Sequence, residues 1–267
     1  MNINPYFLYG TAWKEDETER LVRLALDAGF RGIDTANQRK HYFEAGVGAA
    51  IAGFPREQLF LQTKFTFRDG QDHRLPYDPA ADVATQVRQS FAKSLEHLGV
   101  DTIDSYVLHG PTRRRGLGTA DRDAWQAMES LHASGKTRFL GISNVALDQL
   151  EELVASAKVK PSFVQNRCFA STGWDSHVRR FCREHDIAYQ GFSLLTANVR
   201  ELRGEKFREI VMRTRRTPAQ IVFRFALQAG MLPITGTTDP THMREDLASF
   251  DFELSAADVD AIERVAI

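Results

Sequence analysis

An amphipathic helical stretch, a glycine or polar turn and a short apolar strand recur in that order along the sequence. Leu21, Val22, Ala25 and Ala28 fall at helical spacing, Gly29 ends the run, and Gly32-Ile33-Asp34 follows as a strand. Val83, Val87, Phe91, Leu95 and Leu98 mark another helix, closed by Gly99 before a strand at Ile103 to His109. The same order places Ala124 to Ala133 before Thr137 to Ile142, Leu147 to Ala157 before Ser162 to Gln165, and Val178 to His185 before Ile187 to Phe192. Glycine suits the position just past a helix because the backbone there often takes a positive φ. Eight strands are predicted, near residues 6–10, 31–34, 58–63, 103–108, 137–142, 162–165, 187–192 and 231–234, with helices between them and a closing pair of helices at the end. Such alternation implies a parallel sheet with helical crossovers. Eight units imply closure into a (β/α)8 TIM barrel, of α/β class, rather than an open doubly wound sheet. A barrel of this kind takes about 250 residues. The chain has 267 and no Pro- or Gly-rich linker, so one domain over residues 1–267 is expected. Two long connections, Thr66 to Ala80 and Gly110 to Ala120, are candidate functional loops.

Composition removes several classes of function. With 43% hydrophobic and 26% charged residues, the chain can bury a large core without covalent staples. A formal net charge of −1 offers no basic footprint for nucleic acid or an anionic membrane. The two cysteines, Cys168 and Cys182, make neither a zinc motif nor a disulfide framework, which fits a reducing compartment. Met1 to Pro5 show no export signal, and no apolar run approaches the roughly 20 residues of a membrane span. The expectation is a cytoplasmic monomer acting on a small molecule.

The reactive side chains gather at one end of the pattern. Asp34 closes the second strand, Lys64 the third and His109 the fourth. Ser143-Asn144 follow the fifth, Gln165 closes the sixth and Phe192-Ser193 the seventh. In a parallel barrel these C-terminal ends form a single rim on which catalytic groups converge. Asp34, Lys64 and His109 come from adjacent strands, and a carboxylate, an ammonium and an imidazole buried together are costly unless paired or functional.

These residues sit in windows that resemble the aldo-keto reductases: Gly10-Thr11, Gly29 to Ala36, Gln62-Thr63-Lys64, Ile103 to Pro111, Gly141 to Asn144 and Pro161 to Gln165, in family order over nearly the whole chain. The resemblance implies NAD(P)H-dependent reduction of an aldehyde or ketone, with Asp34, Tyr42, Lys64 and His109 as the catalytic set. Tyr42 would give a proton to the carbonyl oxygen while the nicotinamide delivers hydride to the carbon. A free tyrosine has a pKa near 10, and a nearby ammonium from Lys64, anchored by Asp34, would draw it toward the working range. A neutral His109 would orient the oxygen. The spacing departs from the family pattern: Arg39 stands about where the tyrosine usually does, and Tyr42 follows three positions later as the only tyrosine between Asp34 and Lys64. A packed loop aromatic is the plainer reading of Tyr42.

The same resemblance assigns the cofactor. Ser143, Asn144 and Gln165 would hold the nicotinamide carboxamide, although Ser143-Asn144 could equally cap a helix. Phe192 would stack on the ring, and Gly10, Thr11, Asp34, Ser193 and Leu194 would border it. Gly236-Thr237-Thr238, ahead of a helix with Asp239 as N-cap and Pro240 at its first position, would meet phosphate with free backbone N–H groups. By alignment, Gly236 and His242 replace the family's lysine and arginine. Thr237 and Glu245 match the family, and Asp246 replaces an asparagine. NADP(H) is expected over NAD(H), with Arg244 as a substitute cation, and no metal. Trp13, Tyr42, Phe65 and His109 are expected to face substrate.

Other signals carry simpler readings. Gly46-Val47-Gly48 follows no strand and lacks a third glycine, so a tight helix–barrel contact is expected instead of a dinucleotide fingerprint. Asp69, Asp72, His73 and Asp78 read as solvated loop residues. Arg113-Arg114-Arg115 read as a solvated charge run, with an anionic substrate as the alternative. Two competing functions stay open: a nicotinamide-binding regulatory or redox-sensing subunit with negligible turnover, and a barrel isomerase or lyase acting on a sugar phosphate.

Overall fold

The computed structural model describes residues 7–266. Eight strands pair in parallel, each with its sequence neighbour, and β1 closes on β8 to form a barrel. The strands are β1 (Leu8–Gly10), β2 (Gly32–Asp34), β3 (Phe60–Phe65), β4 (Ile103–Leu108), β5 (Thr137–Ser143), β6 (Phe163–Arg167), β7 (Ala188–Phe192) and β8 (Met231–Thr235). Among the described residues ten α-helices surround them: α1 (Thr18–Ala28), α2 (Glu44–Ile51), α3 (Val83–Leu98), α4 (Thr119–Ala133), α5 (Leu147–Ser156), α6 (Ser176–Glu184), α7 (Glu205–Thr214), α8 (Pro218–Gln228), α9 (Pro240–Leu247) and α10 (Ala256–Glu263). Each predicted strand is present, and the (β/α)8 barrel is the fold. No helix among the described residues is long and apolar enough to cross a membrane.

Local chemistry sets the element boundaries. Gly29 at φ 116° and Gly99 at φ 65° end α1 and α3 in the left-handed region that glycine enters without a Cβ penalty. The Asp82 carboxylate caps α3 by accepting the Thr85 amide at 2.7 Å. The glycines of α2 serve a different contact from the helix–barrel one expected. A Cβ on Gly48 would lie 2.1 Å from the His97 carbonyl oxygen, and one on Gly46 would press on Thr18. The glycine face of α2 therefore lets α1 and α3 approach.

Strand alternation divides the side chains into two sets. Tyr9, Ile33, Leu61, Phe65, Tyr106, Leu140 and Tyr189 point outward into the apolar layer under the helices. Leu8, Phe60, Phe163 and Ile234 form a separate apolar cluster inside the barrel. Nearer the C-terminal strand ends the interior turns polar, with Asp34, Gln62, Lys64, Gln165 and Gln190 all buried. That change of chemistry locates the site.

Candidate active site

Lys64 is wholly buried, and its ammonium donates to both carboxylate oxygens of Asp34 at 2.7 Å and to the Thr35 carbonyl at 2.8 Å. Burial lowers the Lys64 pKa, and the Asp34 carboxylate opposes that shift. A buried ion pair is tolerated when its remaining polar valences are met, and here an amide network meets them. Asp34 Oδ1 also accepts Gln62 Nε2 at 2.7 Å and Gln165 Nε2 at 3.0 Å. Gln190 Oε1 accepts from both glutamines at 2.8 and 2.9 Å, and its Nε2 donates to Gln62 Oε1 at 3.0 Å. Thr11 fixes the Asp34 backbone, its amide and hydroxyl both donating to the Asp34 carbonyl.

Tyr42 is half-buried in the segment between β2 and α2. That segment is tied down by Asn37 donating to the Ser90 carbonyl at 2.8 Å and Gln38 to the Gly70 carbonyl at 2.6 Å. The Tyr42 ring centroid lies 5.1 Å from Lys64 Nζ and 5.9 Å from the His109 ring, which it meets edge-on. The structure thus brings Asp34, Tyr42, Lys64 and His109 together. The expected acidification of the phenol is absent, however. Burial pushes the Tyr42 hydroxyl above the ordinary tyrosine range, and the Asp34 carboxylate pushes it further. The carboxylate that anchors the ammonium also offsets its field at the ring, and the ammonium donates to Asp34 and Thr35 instead of the phenol.

His109 follows β4 at the rim. Burial lowers its pKa to about 3, with the Lys64 and His41 charges adding to the effect, so the ring is neutral at ordinary pH. Its Nδ1 lies 2.6 Å from the Thr66 hydroxyl.

The expected cofactor residues line the same opening with varied commitments. Ser143 and Asn144 do not cap α5, whose N-cap is Ala146. The Ser143 hydroxyl donates to the Gln165 carbonyl at 2.6 Å, and Asn144 Nδ2 donates to the His109 carbonyl at 2.8 Å. Gln165 Nε2 is taken by Asp34 and Gln190. Asn144 at φ 52° and Ser193 at φ 57° hold left-handed backbones at the ends of β5 and β7, as does Trp13 at φ 62° after β1. Such strain in non-glycine residues concentrates at functional rims. Phe192 is part-exposed, whereas Leu194 is buried. Gly10 is glycine for space, since a Cβ would come 2.9 Å from the Ile234 side chain.

Two expectations are corrected. Phe65 does not face the opening: it is fully buried on the outer side of β3, against Phe67 at 5.1 Å and Tyr77 at 5.7 Å. Its neighbour Lys64 points inward, and alternation sends Phe65 the other way. The start of α9 does not offer free amides either, because the Asp239 carboxylate accepts from Thr241 and His242. Around it, Thr238 and His242 are exposed, and Thr237 and Glu245 half-buried. Asp246 is buried and accepts the Thr235 hydroxyl at 2.7 Å. The Gly236 carbonyl accepts the ammonium of Lys14, a residue absent from the expected set. Trp13 stands 69% exposed beside the site, its ring tilted against His41 with centroids 3.8 Å apart.

Sequence reasoning also missed Gln62, Gln190, Thr66 and Arg167. Gln62, Gln190 and Arg167 share the parity of inward-facing strand neighbours, and Thr66, one residue past β3, continues the parity of Lys64; that is the signal that could have found them.

The comparisons with known proteins agree with this fold. The model of the Aldo/keto reductase family matches residues 7–267. The chain is 31% identical over 262 residues to glyoxal reductase of Bacillus subtilis, covering 97% of this chain and 88% of that one. It is 27% identical over 284 residues to the NADPH-dependent alpha-keto amide reductase of Saccharomyces cerevisiae, covering 97% and 85%. The solved aldo/keto reductase from Brucella melitensis superposes with a TM-score of 0.83 at 29% identity, over 98% of this chain and 95% of that one. With a family match from end to end of the described barrel, this chain belongs to the aldo/keto reductase family and is an oxidoreductase.

Proposed function

We propose that the protein reduces an aldehyde or ketone to an alcohol, with Tyr42 as proton donor. The observation that supports this most is the buried Lys64–Asp34 pair set under the Tyr42 ring beside a neutral His109. In the tautomer where Nδ1 accepts from the Thr66 hydroxyl, His109 carries its proton on Nε2 and can donate it to a carbonyl oxygen. Tyr42 holds its proton throughout the working pH range. The oxygen of a carbonyl under reduction becomes an alkoxide, more basic than a phenolate, so the proton passes from Tyr42 to it even from a raised pKa. Lys64 then faces the phenolate left behind and stabilises it. Asp34 and the three glutamines keep that ammonium charged and fixed.

The residues present fit a nicotinamide cofactor. The part-exposed Phe192 ring offers a stacking face, and the exposed amide of Asn144 offers polar contacts to a carboxamide. When bound, the reduced cofactor supplies the hydride. NADP(H) is the proposed form. Lys14 and Arg244 bring cations to the start of α9, where Arg244 bonds Thr241, and the yeast relative is NADPH-dependent. The Asp239 carboxylate opposes a phosphate there, so a modest preference is expected, checked by the dissociation constants of NADPH and NADH.

Tyr42→Phe should lose nearly all turnover of simple aldehydes, about a thousandfold or more for loss of the positioned acid, with unchanged NADPH affinity. Normal turnover by this variant would overturn the proposal.

A further inference from the structure

We infer that Arg167 reads an anionic group, a carboxylate or phosphate, on the carbonyl substrate, so that the site selects negatively charged aldehydes or ketones. This rests on the reductase reading above and adds the substrate class to it.

Three observations carry it. First, Arg167 is the last residue of β6 and shares its face with Phe163 and Gln165. Phe163 lies in the interior cluster, and Gln165 reaches Asp34 across the barrel at 3.0 Å. Alternation therefore aims Arg167 into the mouth. A rise of about 3.3 Å per residue sets its backbone roughly 7 Å beyond Gln165 along the strand, where the remote end of a substrate held by Tyr42 and His109 would lie.

Second, the guanidinium has no carboxylate partner among the described residues. Arg56, Arg138 and Arg179 contrast with it: Arg56 and Arg138 both bond Asp104, and Arg179 bonds Glu263. Its contact is the Phe192 ring, 5.7 Å from ring centroid to guanidinium carbon, on the strand that pairs with β6 at this position. Contact with an aromatic face holds the group at the mouth while leaving its N–H donors free, and a planar fork of donors suits a carboxylate or phosphate oxygen pair.

Third, the loop after β4 carries three more arginines, on backbone held by the carboxylates of Asp121, Asp148 and Glu152. Arg113, Arg114 and Arg115 are all exposed on the loop after β4, and none pairs with a carboxylate among the described residues. The loop backbone is pinned: Gln149 Nε2 donates to the Arg113 and Gly116 carbonyls, and the Leu117 amide donates to Glu152.

The test compares 4-carboxybenzaldehyde with benzaldehyde as substrates for wild type, Arg167→Ala and Arg167→Lys, with NADPH affinity measured by fluorescence quenching. Wild type should favour the carboxylated aldehyde. Arg167→Ala should lose about 10- to 100-fold in kcat/KM on it, mostly through KM, as expected for one charge-assisted contact. Benzaldehyde turnover and NADPH affinity should stay within about twofold, and Arg167→Lys should recover part of the loss. Equal loss on both aldehydes would mean that Arg167 merely supports Phe192, and weakened NADPH affinity would mean that the guanidinium serves the cofactor. Either result, or a wild type indifferent to the carboxylate, overturns the inference. Failure of wild type to reduce either aldehyde would instead overturn the reductase reading, and this inference with it.

Discussion

Thr66 is the hydrogen-bond partner of His109 Nδ1 and bears on which ring nitrogen carries the proton. Its hydroxyl lies 2.6 Å from Nδ1, so a donating hydroxyl leaves the ring proton on Nε2. Thr66→Val keeps the shape and removes the donor. It should cut kcat/KM about tenfold, the worth of one buried hydrogen bond, without changing NADPH affinity, and Thr66→Ser should restore it. Because the His109 pKa is lowered to about 3, the ring is neutral above that value and takes up a proton only as pH falls through it. The acid side of the kcat/KM profile should therefore stay flat from about pH 7 down to near pH 4; a limb near the ordinary 6.5 would show that His109 is charged. Asp246 titrates in the opposite sense. Burial raises it from 3.8 to about 7, so the folded state binds its proton more tightly than the unfolded chain does. Its contribution is complete below pH 3.8 and is lost as pH rises through about 7. Asp246→Asn removes that titration, and denaturation curves should show the variant gaining on wild type from pH 4 upward, by roughly 4 kcal/mol at pH 8.

Between elements, α2 and α3 approach closely at Gly48. A Cβ at Gly48 would sit 2.1 Å from the His97 carbonyl oxygen, so Gly48→Ala must force the helices apart. Overpacking of this kind costs about 1–3 kcal/mol, more than the gain in helix propensity from alanine, and urea denaturation should show the net loss. Gly53, with nothing within 4 Å of its would-be Cβ but a φ of 81°, is the contrasting control: its cost is backbone strain alone. These two glycines also show what the sequence could reveal. The barrel was legible because a strand–helix alternation with polar residues at strand ends has few other solutions. The partner of Gly48 was not, since a helix glycine looks the same whether it faces a strand or another helix. At the site, Asp34, Lys64 and His109 stood out because charge at a strand end is unusual. Gln62 and Gln190 did not, because a neutral amide inside an apolar strand looks incidental until its inward parity is known. Phe65 was expected to face substrate, whereas alternation places it on the face opposite its neighbour Lys64.

Over the whole molecule, 34 basic and 35 acidic residues nearly cancel. Any attraction of an anionic substrate must therefore come from where charges sit, since the net charge supplies none. Arg167 at the end of β6 and Arg113–Arg115 on the loop after β4 have no carboxylate partner among the described residues, and a local field from such groups is screened by salt. Raising ionic strength from about 20 mM to about 500 mM shortens the screening length from about 20 Å to about 4 Å. The kcat/KM of wild type on 4-carboxybenzaldehyde should fall several-fold over that range, while that on benzaldehyde should hold. Replacing Arg113, Arg114 and Arg115 together with alanine should flatten the salt slope, because those side chains act through the field. Arg167→Ala should instead lower the plateau at high salt, where only direct contact with the anion survives. Identical salt slopes for the triple variant and wild type would assign the loop arginines to solvent and leave Arg167 as the sole reader of charge.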